Sequence, residues 1–185
     1  LFAVCYNAGE SGMTVKQVAW LGGIFQLTYM FTSLGIGFML SRRNARLVLL
    51  LSAAVSAMLA ASCFLTRTFW PTFFILAFFG VSSAFYFNSF QSFMRGESPP
   101  GGLARATGLY TLSWSTGASV GFLASGSLYR LGFPALIALN LLVGAVVIGI
   151  LLRHKPRPQD APSAEEHSEA PVAGAGSDQP GYVWI

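Results

Sequence analysis

From residue 17 onward the chain alternates long apolar runs with short polar breaks. The runs cover 17–40, 47–65, 69–94, 104–129 and 133–152. Each has the length, about 20 residues or more, that a helix needs to cross a hydrocarbon core about 30 Å thick. Residues 1–8 are apolar too and read as the end of an earlier helix. A spanning backbone must satisfy its own hydrogen bonds, and the runs lack the strict alternation of barrel strands. The pattern therefore predicts an all-α fold: a polytopic transmembrane helical bundle.

The breaks carry local stop and start signals. Thr14 with Gln17 three residues on has the form of a capping box. Pro71 and Pro134 fall in the first turns of their helices, where the missing N–H costs nothing. Ser98-Pro99-Pro100-Gly101-Gly102 is a strong breaker. Residues 153–185 are rich in Pro, Ala, Glu, Ser and Gly and cannot bury enough apolar area to order themselves, so they read as a disordered cytoplasmic linker. The chain opens inside an apolar run with no basic flank and ends on another, at 181–185. Both ends read as cut, which predicts a fragment of a longer polypeptide with its first helix mostly missing.

Charge sharpens this picture. Only 10% of residues are charged, against about 25% in an average soluble domain. Before the tail the acids are Glu10 and Glu97; Asp160, Glu165, Glu166, Glu169 and Asp178 lie in it. Cations gather on the cytoplasmic side of membrane proteins. Placing the Arg42, Arg43 and Arg46 loop inside also puts Arg95, Arg105, Arg153, Lys155 and Arg157 there, leaving Lys16, Arg67 and Arg130 outside. That bias makes the Arg42 loop and the tail cytoplasmic, with a bacterial inner (plasma) membrane as the expected location. The net charge of +4 then reflects orientation, and no nucleic-acid partner is expected.

Chemistry-bearing motifs are scarce. Cys5 and Cys63 are far apart in apolar surroundings and form neither a disulfide framework nor a metal spacing. His154 and His167 read as solvated residues of the membrane edge and tail. There is no HExxH, no phosphate-binding glycine loop and no nucleophile elbow. Neither an enzyme nor a cofactor or metal is expected. One packing signal stands out: Ser113, Gly117, Gly121 and Ser125 recur every four residues, a small-residue face that predicts a tight helix contact. Ala53, Ala57 and Ala61 repeat the interval.

The residues also resemble a known family. The loop from Gly37 to Arg46 resembles the Gly-x-Leu-Ala-Asp-Arg-x-Gly-Arg-Arg signature between the second and third helices of major facilitator superfamily transporters, with Gly37, Arg42 and Arg46 matching. Arg105 to Tyr110, Gly117-x-x-x-Gly121 and Gly126 to Tyr129 resemble that family's fifth helix, and the polar tail stands where it joins two six-helix halves. The resemblance covers nearly the whole chain as an N-terminal half. It implies a missing C-terminal helical half, a bilayer and a small-molecule solute as partners, and transport by alternating access around a site near the midplane. There are departures. The signature's acid, which helps close the cytoplasmic side, is Ser41, and its central glycine is Asn44. Phe122 replaces a proline of the drug/proton antiporters, and their fourth-helix arginine has no counterpart near Leu76.

On that reading, polar and aromatic residues inside the spans are the solute-path candidates: Gln26, Tyr29, Asn88, Gln91, Ser113 and Trp114. Asn140 is expected to be structural. Phe85, Tyr86, Phe87, Phe90 and Phe93 crowd one helix, with packing and lipid contact the expected role for most. The five spans hold no Asp or Glu. Either coupling lies outside this sequence or transport is uncoupled. Two further readings fit the same pattern: a non-transporting sensor or scaffold of transporter-like fold, and a half-transporter acting as a dimer.

Overall fold

The computed structural model describes residues 2–36, 39–40, 44–99 and 102–155. It divides the chain into a helical unit, Leu1–Lys155, and a segment, Pro156–Ile185, that lies outside the described residues together with the expected linker. The described residues form six helices: α1 (Phe2–Glu10), α2 (Val15–Ile36), α3 (Ala45–Leu65), α4 (Phe69–Glu97), α5 (Leu103–Arg130) and α6 (Phe133–Arg153). The fold is all-α, with no strand among those residues.

The helix boundaries follow from local chemistry. The Thr14 amide donates to Gln17 Oε1 at 2.9 Å and the Gln17 amide to Thr14 Oγ1 at 3.3 Å, the reciprocal capping box that starts α2. Gly12 and Gly132 hold the turns before α2 and α6 at φ near +83° and +84°, a region open to glycine at little cost. A proline sits in the first turn of α6. All five long helices, 21 to 29 residues each, exceed the ~30 Å of a hydrocarbon core at 1.5 Å per residue.

Length and apolarity together suit three of them to span a membrane: α3 over Ala45–Cys63, α4 over Phe69–Glu97 and α6 over Ala135–Arg153. All five expected spans are helices of spanning length; α5 is the one most diluted with Gly, Ser and Thr. On α3, Leu47, Leu51, Val55 and Met58 are exposed at intervals of four, four and three, one continuous apolar stripe; Trp70, Phe74 and Phe78 make another on α4. Faces of this kind are costly in water and at home in lipid.

At the centre, α4 lies against both α2 and α3, and α3 also carries α6. Close approach is obtained with small residues. A Cβ on Gly80 of α4 would collide with Thr28 Oγ1 and the Phe25 carbonyl oxygen of α2, and one on Gly144 of α6 would stand 2.9 Å from Ala57 Cβ of α3. Ser82 Oγ of α4 donates to the Ser52 carbonyl at 3.2 Å and pairs with Ser56 Oγ at 2.8 Å. Asn140 Nδ2 donates to the Ala57 carbonyl at 3.0 Å, holding α6 to α3. Val4, Ala8, Leu21, Cys63 and Leu76 form a buried cluster toward the end of the bundle where α1 turns into α2.

Candidate functional site

α4 and α5 run antiparallel along a cleft of about 250 Å³ lined by Tyr86, Phe87, Phe90, Tyr110, Ser113 and Trp114. Helical spacing explains the grouping: Tyr86, Phe87 and Phe90 fall on one face of α4, and Tyr110, Ser113 and Trp114 on one face of α5. Phe90 and Tyr110 meet across the cleft with centroids 5.3 Å apart and planes tilted 33°. Tyr86 stands edge-on to Phe87 at 5.3 Å, and Tyr29 of α2 meets the same Phe87 edge-on at 6.3 Å. Three helices thus contribute to one aromatic cluster, of which the α4 and α5 members line the cleft. Tyr86, Phe87 and Phe90 line the cleft and at the same time pack on one another, on Tyr29 and on Tyr110, while Phe93 packs on His154.

The remaining path candidates divide. Gln26 and Gln91 are exposed. Asn88 is not free: its Nδ2 donates to Ser33 Oγ of α2 at 3.2 Å and to the Ala84 carbonyl at 2.8 Å, so its amide joins α2 to α4. Ser113 and Trp114 are exposed to the cleft on α5.

Each end of the bundle carries a polar cluster. At the end of α1 and α5, Tyr129 Oη donates to the Glu10 carboxylate, and Tyr6 stands edge-on to Tyr129 at 4.5 Å. At the opposite end, Arg46 Nη2 donates to the carbonyls of Leu151, Leu152 and His154 at 2.9, 3.3 and 3.0 Å. These are the last carbonyls of α6, which have no partner inside the helix. A guanidinium there also complements the negative end of the helix dipole. Beside it His154 Nε2 lies 3.0 Å from Glu97 Oε2, and the His154 ring stands edge-on to Phe93 at 5.5 Å.

Two expectations change. His154 is exposed, yet it is bound to Glu97 and Phe93 rather than merely solvated. Among the described residues the small-residue face of α5 makes no close helix contact: none of their heavy atoms lies within 4 Å of a Cβ built on Gly117 or Gly121, and Ser113 is exposed. A four-residue repeat marks a face as small but does not supply the neighbour. Ser125 shares the repeat, and its side chain lies outside the described residues, as do Gly37, Ser41, Arg42 and Arg43 of the signature loop. Of that loop's cations the structure places Arg46 alone, at the α6 terminus. Among the described residues no group of His, Cys, Asp and Glu side chains could hold a metal ion.

Comparison with known proteins agrees with this architecture. The chain matches no curated protein and no solved structure. Residues 1–181 match the family model of the Major Facilitator Superfamily, nearly the entire length. With apolar helices long enough to span a bilayer and a family match of that extent, the chain belongs to the Major Facilitator Superfamily of membrane transporters.

Proposed function

We propose that this chain moves a small organic solute by alternating access, either actively or down its gradient. The path runs beside α2, α4 and α5, lined by Tyr29, Gln26, Gln91, Ser113 and Trp114. Asn88 holds the α2 and α4 walls in register. The observation that carries the reading is the cleft of Tyr86, Phe87, Phe90, Tyr110, Ser113 and Trp114 in a chain of a transporter family. Those six residues lie beyond the midpoint of α4 and before that of α5, in the half of the bundle nearer the Arg46 end. A site near the middle of a membrane can be reached from either face once the bundles rock.

The Arg42, Arg43 and Arg46 loop faces the cytoplasm of a bacterial cell in this reading, supported by the charge bias of the loops. A second helical half completes the path. Arg46 serves closure of the cytoplasmic end through the α6 carbonyls it already holds, a role open to it without the acid that Ser41 replaces. The small face of Ser113, Gly117, Gly121 and Ser125 on α5 is the surface against which that second half slides.

The test is flux. Full-length protein in liposomes is loaded with a cell extract, and solute exchange is followed by mass spectrometry. Saturable exchange of a defined solute, weakened by Trp114→Ala, is the expected result. Absence of exchange above protein-free liposomes, with correctly folded protein, would refute the transport reading. An antibody to residues 165–176 reads the native length: a band about twice that of this chain is expected from the two-half architecture, and one of this length would refute the second half.

A further inference from the structure

The α4–α5 cleft has a chemistry that narrows what it can hold. Five of its six side chains are aromatic, and among the described residues no Asp, Glu, Lys, Arg or His lines it. A cation would be drawn to the ring faces, but no carboxylate among the lining residues offsets the water it must give up. An anion would meet the negative faces of the same rings. Charged groups are therefore disfavoured on both signs. At about 250 Å³ the cleft is smaller than the roughly 300–1,000 Å³ of sites that enclose a drug-sized molecule, so it suits one ring system rather than a whole large ligand.

The polar groups point the same way. The hydroxyls of Tyr86, Tyr110 and Ser113 and the Trp114 indole N–H have no hydrogen-bond partner among the described residues. The indole can only donate, and the hydroxyls can donate or accept. A guest offering an acceptor, such as a carbonyl or ring nitrogen, meets this set.

We propose that this cleft binds the uncharged, planar aromatic or heteroaromatic part of the solute, stacked on the α4 and α5 rings and oriented by an acceptor atom. The proposal rests on the transport reading above and names the class of solute for that site.

The test uses full-length protein in detergent, with empty micelles as the correction for partitioning. Equilibrium dialysis measures three probes: 2-acetylnaphthalene, its saturated counterpart 2-acetyldecalin, and trimethyl(2-naphthyl)ammonium. Saturable binding of the first, at least about tenfold tighter than either of the others, is expected from loss of stacking or addition of charge. Trp114→Leu removes one ring from a side chain that is 57% exposed, so the core stays intact; it should weaken 2-acetylnaphthalene about tenfold and leave thermal unfolding unchanged. Phe90→Leu should act in the same direction. Equal binding of the decalin, tighter binding of the ammonium, or indifference to Trp114→Leu would overturn the proposal, and Trp114→Leu alone decides should Phe90→Leu fail to fold. Saturable liposome exchange without aromatic selectivity overturns the cleft's role and leaves transport standing. Selective binding without exchange of any solute removes transport and leaves a binding site of this chemistry.

Discussion

Gly80 sits where α4 meets α2, and adding one methyl group there should separate the two helices. A Cβ at this position would fall inside contact distance of Thr28 Oγ1 and of the Phe25 carbonyl oxygen, and 3.2 Å from the Tyr29 amide nitrogen. Thr28 is pinned by its own bonds to the Ile24 and Phe25 carbonyls at 2.9 and 3.1 Å, and the carbonyl belongs to helix backbone. Neither neighbour can rotate away. Overpacking of this kind costs about 1–3 kcal/mol. Alanine returns at most about 1 kcal/mol through helix propensity. Gly80→Ala should therefore leave the bundle less stable than the wild type by up to about 2 kcal/mol, read by unfolding in mixed detergent micelles. Gly149→Ala is the control: nothing lies within 4 Å of its added Cβ, so only the propensity gain remains and stability should hold or rise. Adding Thr28→Ala to Gly80→Ala should recover part of the loss, since the Phe25 carbonyl stays in place. If Gly80→Ala proves as stable as Gly149→Ala, the close approach of α2 and α4 is refuted.

Three other perturbations follow from named contacts. Arg46→Ala strips the α6 terminus of a charged donor and should cost about 1.5–3 kcal/mol in the same unfolding assay, with Arg46→Lys recovering only part; an unchanged midpoint would refute the capping role. Asn140→Leu removes the bond to the Ala57 carbonyl and should cost about 0.6 kcal/mol, the average for interhelical hydrogen bonds in membranes, and no more than about 1.7 kcal/mol. Tyr129→Phe deletes the donor to Glu10, so amide hydrogen exchange in α1 should quicken while exchange in α3 and α4 is unchanged; uniform exchange would refute the tie between α1 and α5.

What could be read from sequence is what is local. Apolar runs of spanning length marked the long helices of the described residues, and a capping box four residues long needs no tertiary knowledge. Asn140 was legible as structural because an amide among Leu, Val and Gly must find a partner. The contacts that depend on distant chain were not legible. Arg46 reaches a carbonyl 105 positions away, His154 an acid 57 positions away, and Phe90 faces Tyr110 on another helix. Of the two small-residue stripes, Ala57 on α3 meets Gly144, while Gly117 and Gly121 on α5 meet nothing within 4 Å. Identical spacing gave opposite outcomes, because spacing describes one surface and a contact needs two. The path candidates were legible as residue types, but only three-dimensional placement separated Asn88, bound to Ser33, from the exposed Gln26 and Gln91.

The cleft is built from unlike materials. Its α4 wall belongs to a helix wedged between two others, with Thr72, Leu76, Gly80, Ser82, Ser83, Ala84 and Ser89 buried along its length. Its α5 wall belongs to a helix exposed at Leu109, Leu112, Trp114, Val120, Phe122 and Leu123. An element with few buried contacts opens at lower cost than one locked into a core. The two jaws therefore have different stiffness: α4 is the anvil and α5 the spring. A gap closed by a spring adjusts its width to what enters it. In the proposed binding mode the α4 rings are then the fixed surface on which a ring system stacks, and Ser113 and Trp114 of α5 are the groups that adjust to it.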